Sequence, residues 1–424
     1  MSMPINLNKR RILIGVSGSI AIYKTCELIR LFIKAGAEVK VVMTPSAKRF
    51  IPPLTFEALT RNRVLDESSE EWSSDLNHID ITKWAEIFII APATANTINK
   101  LAKGIADNIL LECALAFNKS LLIAPSANTN MLKNHYTEGS LKMLKVNDTV
   151  IIEPQKKLLA CGDEGVGALA EPLEIFYHGA RELLKEEFWE DRKVVVTGGG
   201  TKEKIDAVRY ITNRSSGKMA DALASALWLK GADVCYIRAN VNDSLPNKIY
   251  TIDINSALEL KEYLVDCIRV AKKGVMSKPS LNNPNPIGMI QKKPYLFMAS
   301  AVSDYRVRYP QDSKIKKSDI GDTWKLELVK NPDIISEIDK SGIISIAFKA
   351  ETNLDEALKS AKETLEAKGV DAICYNYVGE GGAFESDRNR VIFVTKEAQK
   401  DLGESSKIEL SFKILKESKG LDSE

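Results

Sequence analysis

Asn213-Arg214-Ser215-Ser216-Gly217-Lys218-Met219 gathers an amide, two hydroxyls, a glycine and two cations into seven residues. It follows the glycine-rich run Thr197-Gly198-Gly199-Gly200-Thr201. Such a set suits a polyanion held against backbone N–H groups where a helix begins. A second stretch, Gly15-Val16-Ser17-Gly18-Ser19-Ile20-Ala21, also puts small and hydroxyl residues ahead of a helical pattern. This turn can hold a phosphate, with helix-end electrostatics supplying about 0.3–1 kcal/mol. Read alone it is equally a tight turn without a ligand, and it is not the GxGxxG of dinucleotide binders. Two nucleotide-type sites point to a fused protein with two activities.

The elements that would position these residues repeat twice. Arg11–Val16 reads as a buried first strand, Ile20–Lys34 as a helix and Glu38–Met43 as a second strand. Residues 85–91 and 120–124 read as further strands, each running into a polar turn. Strand, polar turn, helix, strand is the pattern of a parallel sheet wound on both faces, with ligands at the carboxyl ends of the strands. A helix in the region 174–191 runs out into a charged break, and the cycle restarts at Lys193–Thr197. The helix at 219–230 and the strands at 233–238, 295–298, 344–348 and 372–375 follow, and the strands 390–394 and 407–412 would close an antiparallel edge. The predicted fold class is therefore α/β, with two doubly wound Rossmann-like domains, 1–189 and 190–424. The proline-rich stretch 272–293 reads as a surface insertion.

Composition narrows the partners. The 424 residues are 44% hydrophobic and 27% charged, with a formal net charge of +2. No bulk field favours nucleic acid or a membrane, and no apolar run reaches the roughly 20 residues of a membrane span. The apolar stretch after the basic N-terminus reads as a strand rather than a signal peptide. The six cysteines form no CxxC pair, which fits a reducing, cytoplasmic setting and argues against structural zinc.

The first half carries an ordered set of motifs. These are Asn77-His78-Ile79, Pro92-Ala93-Thr94-Ala95-Asn96, Ala124-Pro125-Ser126-Ala127-Asn128-Thr129-Asn130-Met131 and Leu159-Ala160-Cys161-Gly162-Asp163. Taken singly, His78 could be structural, as His135 and His178 are read; Asn128 could be a helix N-cap; and Cys161 could be a small core residue. As a set, over about residues 8–180, they resemble the flavin-containing cysteine decarboxylases, and phosphopantothenoylcysteine decarboxylase most specifically. The resemblance implies a flavodoxin-like flavoprotein domain with FMN near Gly18, Ser19, Ile20, Ser46, Phe50, Thr94, Ala95 and Asn96. It makes His78 an active-site histidine, Asn128 the holder of the substrate carboxylate and Cys161 a proton donor. A flavin answers the chemical need, since direct loss of CO₂ from a cysteine carboxylate leaves an unstabilised carbanion. Leu132 stands where the family has Trp, and Ala168-Leu169 where it has Arg-Met. The remaining cysteines, Cys26, Cys113, Cys235, Cys267 and Cys374, read as core.

The second half resembles phosphopantothenate–cysteine ligase over about residues 190–415. Beside the Asn213 segment, the motifs are Ala301-Val302-Ser303-Asp304, Lys314-Ile315-Lys316-Lys317, Asn331-Pro332-Asp333-Ile334, Phe348-Lys349-Ala350-Glu351 and Lys368-Gly369-Val370-Asp371. On its own the lysine run would be a solvated basic stretch. The resemblance implies CTP as co-substrate, with Mg²⁺ whose ligands are unassigned. It places CTP near Ala299, Ser300, Asp304, Lys314, Pro332, Asp333, Ile334, Ile335, Phe348 and Lys368. Asn213 and Lys314 would act in turnover of an acyl-cytidylate by cysteine. Thr364 and Tyr377 depart from the family's Lys and Asp. Together the halves imply a coenzyme A biosynthesis enzyme taking 4′-phosphopantothenate, L-cysteine and CTP. A trimeric decarboxylase joined to a dimeric ligase implies a homo-oligomer, a dodecamer.

Overall fold

The computed structural model describes residues 5–158, 162, 164–239, 245–282, 287–316, 321, 323–351, 358–359, 361–377 and 386–422. The chain forms two units. The first comprises Ile5–Leu184 with Ser277–Gly288, the second Lys185–Met276 with Met289–Glu424.

The first unit is built on five parallel strands: β1 (Arg11–Val16), β2 (Glu38–Met43), β3 (Ile87–Ala93), β4 (Ser120–Pro125) and β5 (Val150–Ile151). Their order is β2-β1-β3-β4-β5. All seven residues of β3 are buried, as expected of a strand covered on both faces. Phe88 and Ile90 join a core with Ile98, Ile109 and Leu110. Ile89 points the other way, toward Phe32 and the helix Pro172–Leu184. The sheet reverses direction of growth between β1 and β3, and a doubly wound sheet opens a crevice at that point.

The second unit is built on an eight-stranded sheet: β6 (Lys193–Gly199), β7 (Asp233–Ala239), β8 (Tyr250–Ile254), β9 (Tyr295–Met298), β10 (Ile344–Glu351), β11 (Ala372–Tyr377), β12 (Arg388–Val394) and β13 (Gln399–Ser406). The order is β8-β7-β6-β9-β10-β11-β12-β13. The strands from β8 to β11 are parallel; β12 and β13 add an antiparallel edge. Here the switch point lies between β6 and β9. A bulge between Arg390 and Ile392 skews the last pairing, and Lys400, Asp401 and Glu404 stand on β13.

One expected element is corrected. Residues 407–412 are not a strand but the start of a helix, Lys407–Ser418. Ile408, Leu410 and Phe412 alternate as in a strand, yet Ile408, Ser411, Leu415 and Ser418 form the buried helical stripe. Ser406 and Glu409 close a capping box that fixes the start. The antiparallel edge exists, one segment earlier, in β13.

The stretch between the sheets carries a second device. The terminal helix ends at Leu184, and Trp189 is fully buried with its ring 5.0 Å from that of Tyr295. Arg192, next along, is buried and donates to Phe188 O (3.0 Å), Lys293 O (2.7 Å) and Asp422 Oδ2 (2.5 Å). Among the described residues, no helix is long and apolar enough to cross a membrane.

Candidate active sites

The first cleft, about 840 Å³, opens at the carboxyl ends of β1, β3 and β4. Its walls are tied by hydroxyls. Ser17 Oγ donates to Pro92 O (2.7 Å) and accepts from Thr94 N (3.0 Å), stitching the end of β1 to that of β3. Ser19 Oγ lies 3.1 Å from Ser126 Oγ, which links β1 to β4. Thr94 caps the helix Ala95–Ala102, aiming that N-terminus at the cleft. Gly18 is required by close approach: a Cβ there would sit 2.7 Å from Ser46 Cβ and 3.0 Å from the Ser46 carbonyl carbon. Exposed Ile20, Tyr23, Met131 and Leu158 give the cleft an apolar side. Hydroxyls and a helix N-terminus at one end, with apolar faces beside them, fit a phosphorylated planar ring such as a flavin mononucleotide.

Gly18, Ser19, Ile20, Ser46, Thr94, Ala95, Asn96 and Asn128 all line this cleft. Asn128 is also the N-cap of Thr129–Leu132, accepting from Asn130 N at 2.9 Å, so its capping role is realised within the cleft wall. Phe50 and His78 do not line it. His78 opens the helix His78–Trp84, with Nδ1 2.8 Å from Glu70 Oε1 and 4.0 Å from Glu112 Oε2. An ionised carboxylate only accepts, so Nδ1 carries the proton toward Glu70. Trp72 packs edge-on to the ring at 5.4 Å. Cys161 lies outside the described residues. Cys113 and Cys374 are buried, and burial pushes both thiols up. Cys235 and Cys267 stand with sulfurs 3.4 Å apart.

The second cleft, about 650 Å³, lies at the switch point of the larger sheet. Thr197 Oγ1 donates to Ser300 Oγ (2.9 Å) and accepts from Ser300 N (3.3 Å), joining β6 to the loop after β9. Asn213 Nδ2 donates to Val302 O (2.9 Å), which holds the polar segment over that loop. Gly217 takes a left-handed φ of 70° as N-cap of the helix Lys218–Leu229, a conformation that favours glycine. Asn331 Nδ2 donates to Ser303 O (2.8 Å) and Asn331 N to Asp304 O (2.7 Å). Lys368 Nζ meets Asp333 Oδ2 at 2.5 Å. Burial would raise the Asp333 carboxyl, but hydrogen bonds from Lys368 and Ser336 outweigh it and hold it low.

Asn213, Ala299, Ser300, Asp304, Pro332, Asp333, Ile334, Ile335, Phe348 and Lys368 line this cleft together. Lys314 does not; it is exposed, and Lys317 lies outside the described residues. Its neighbour Ile315 is anchored: Ile315 N donates to Asp206 Oδ2 (3.2 Å), and Arg209 Nη2 donates to Ile315 O (3.1 Å). Arg209 holds the Asp206 carboxyl far below the usual carboxylate range. Sequence reasoning missed Lys407 and Asn389, which also line the second cleft. The Ser406-x-x-Glu409 signature was the available signal, since it starts a helix at Lys407. Among the described residues, the clustered potential metal ligands are Glu70, His78 and Glu112, in the first unit.

Two doubly wound α/β units, each with its own cleft at its own switch point, define a two-site protein of the α/β class. The flavoprotein family matches residues 2–180, and the DNA/pantothenate metabolism flavoprotein C-terminal domain matches residues 189–277 and 287–421. The coenzyme A biosynthesis bifunctional protein CoaBC of Haemophilus influenzae is 37% identical over 421 residues, 97% of this chain and 98% of its own. That of Bacillus subtilis is 37% identical over 419 residues, 97% of each chain. The chain belongs to this family of bifunctional coenzyme A biosynthesis proteins. A solved PPC decarboxylase mutant complexed with pantothenoylaminoethenethiol is 35% identical, covering 41% of this chain and 97% of its own, with a TM-score of 0.38.

Proposed function

We propose that this chain joins 4′-phosphopantothenate to L-cysteine in a domain spanning 190–424 and decarboxylates the product to 4′-phosphopantetheine in a domain spanning 1–189. The observation that carries the reading is the near full-length match: relatives that share both halves are bifunctional coenzyme A biosynthesis proteins. The two separate clefts support it, because each half has a site of its own.

In the first cleft the residues fit FMN, with its phosphate near Ser17–Ser19 and the N-terminus after Thr94. When bound, the flavin supplies a hydride acceptor and donor. Asn128 positions the substrate carboxylate, and Cys161 delivers a proton to the substrate carbon. His78, its Nδ1 engaged by Glu70, offers Nε2 as a base. His78 and Phe50 lie off the cleft of a single chain, as they would if copies of a trimer completed the site, the trimer half of the dodecamer reading. For Cys161→Ser, decarboxylation is expected to proceed while the saturated thiol does not accumulate. Mass spectrometry of the product checks this: a species two hydrogens short is expected, and normal yields of the saturated thiol would remove the role.

In the second cleft, carboxylate activation needs cations and backbone donors already aimed at a triphosphate. The Asn213–Lys218 segment and Lys368 supply them for CTP, Asp304 and Asp333 stand beside them in the cleft, and Mg²⁺ would offset the charge of the phosphates. Lys314, off the cleft in this structure, would swing toward it from the segment anchored at Ile315. The deciding experiment gives purified protein 4′-phosphopantothenate, cysteine, CTP and Mg²⁺ in a reducing buffer like the cytoplasm. Pyrophosphate and CO₂ are expected in step with each other. Release of neither, with folded yellow protein, would end the proposal.

A further inference from the structure

Lys407 is only 7% exposed, yet it lines the second cleft. Among the described residues its ammonium has no hydrogen-bond or ion-pair partner, and its backbone N–H is spent on Asp387 O at 3.0 Å. The charged groups acting on it are Lys218, which repels it, and Asp387, which is already paired with Lys218 at 2.7 Å. Burial first, then Lys218, push the Lys407 ammonium down to about 8, and Asp387 offsets this only in part. A largely buried cation whose one facing carboxylate is already paired elsewhere is costly, and the cost falls when an anion arrives.

The surroundings already point at such an anion. Lys407 is the first residue of one twelve-residue helix, and Lys218 is the first residue of another. Both N-termini carry partial positive charge. Gly217 and Asn389 line the same cleft, adding a backbone and an amide donor.

We propose that Lys407 is the buried cation of an anion subsite in the second cleft, and that it takes the oxygens of a phosphate group. The source is either the triphosphate of the nucleotide or the phosphate ester of the acid; only that choice rests on the proposed function. The subsite explains why an unpaired lysine is kept buried: it is matched only in the liganded protein.

The test titrates inorganic phosphate, tripolyphosphate, CTP and 4′-phosphopantothenate into the full chain at neutral pH by calorimetry. Wild type is compared with Lys407→Met, which keeps the side-chain length without the charge, and with Lys407→Arg. Lys407→Met is expected to bind at least one of these ligands about tenfold more weakly or worse, as suits loss of a charge-assisted contact. Lys407→Arg is expected to retain most of the affinity. Its thermal midpoint without ligand separates this from a structural role: Lys407→Met is expected to melt no earlier than wild type, since an unmatched charge is gone. Lys407→Gln provides a second uncharged variant should the first not fold.

Weakening confined to tripolyphosphate and CTP assigns the subsite to the nucleotide. Weakening confined to 4′-phosphopantothenate, with unphosphorylated pantothenate unaffected, assigns it to the acid. Equal affinities in wild type and a folded uncharged variant overturn the inference, as does a wild type that binds none of the four. A wild type that binds tripolyphosphate through Lys407 but makes no amide from CTP, acid and cysteine sustains the subsite and removes the proposed function.

Discussion

The Gly18→Ala protein is expected to bind flavin roughly tenfold more weakly than wild type, or worse. The added methyl would stand 2.7 Å from Ser46 Cβ and 3.0 Å from a backbone carbon, so no side-chain rotation relieves it. The two turns that follow β1 and β2 must move apart. Overpacking of this kind costs about 1–3 kcal/mol. Both turns line the cleft, so their separation loosens the hydroxyl ring around Ser17 and Ser19 on which the cofactor would rest. A loss of 1.4 kcal/mol of binding is about tenfold in affinity. Absorbance of the purified protein and flavin titration give the measurement. Decarboxylation should fall in parallel, while amide formation, in the other unit, holds. A flavin affinity in Gly18→Ala equal to that of wild type would mean the cofactor does not sit against this turn.

Asp422→Ala is expected to destabilise the second unit by about 3–5 kcal/mol. The carboxylate and Arg192 are both almost wholly buried, at 4% and 7% side-chain exposure. Removing one partner leaves a guanidinium in the interior with only the carbonyls of Phe188 and Lys293 to accept from it. Arg192 also lies over the Phe188 ring at 4.1 Å, so a shift to reach water would unpack the aromatic group around Trp189 and Tyr295. Denaturant unfolding followed by tryptophan fluorescence measures the loss. The double variant Arg192→Met with Asp422→Leu is expected to recover much of it, because a buried pair replaced by apolar groups is close to neutral. A single variant as stable as wild type would show that the pair contributes nothing.

The sheets were largely readable from the chain, because buried parallel strands leave runs such as Ile12–Val16 and Val194–Val196 between polar turns. What the runs do not carry is neighbourhood. Ser17 meets Thr94, and Thr197 meets Ser300, because the sheet order brings those loops side by side. Ordered motifs supplied that order for most of the cleft-lining residues. They could not supply it for His78, whose partner Glu70 sits in an irregular loop without period, or for Lys314, which is held through its neighbour by Asp206. Lys407 was hidden by a rival period: three alternating apolar residues outweighed a capping signature that in fact starts the helix.

The bulged last strand of the larger sheet has a consequence beyond its own unit. An edge strand is a template on which a neighbouring molecule can add its own backbone. On β13, Lys400, Asp401 and Glu404 would be trapped in any such seam, and the kink beside Arg390 breaks the straight line a recruit must follow. That side therefore offers fibrous aggregation a poor foothold, and the protein should resist self-templating there under crowding.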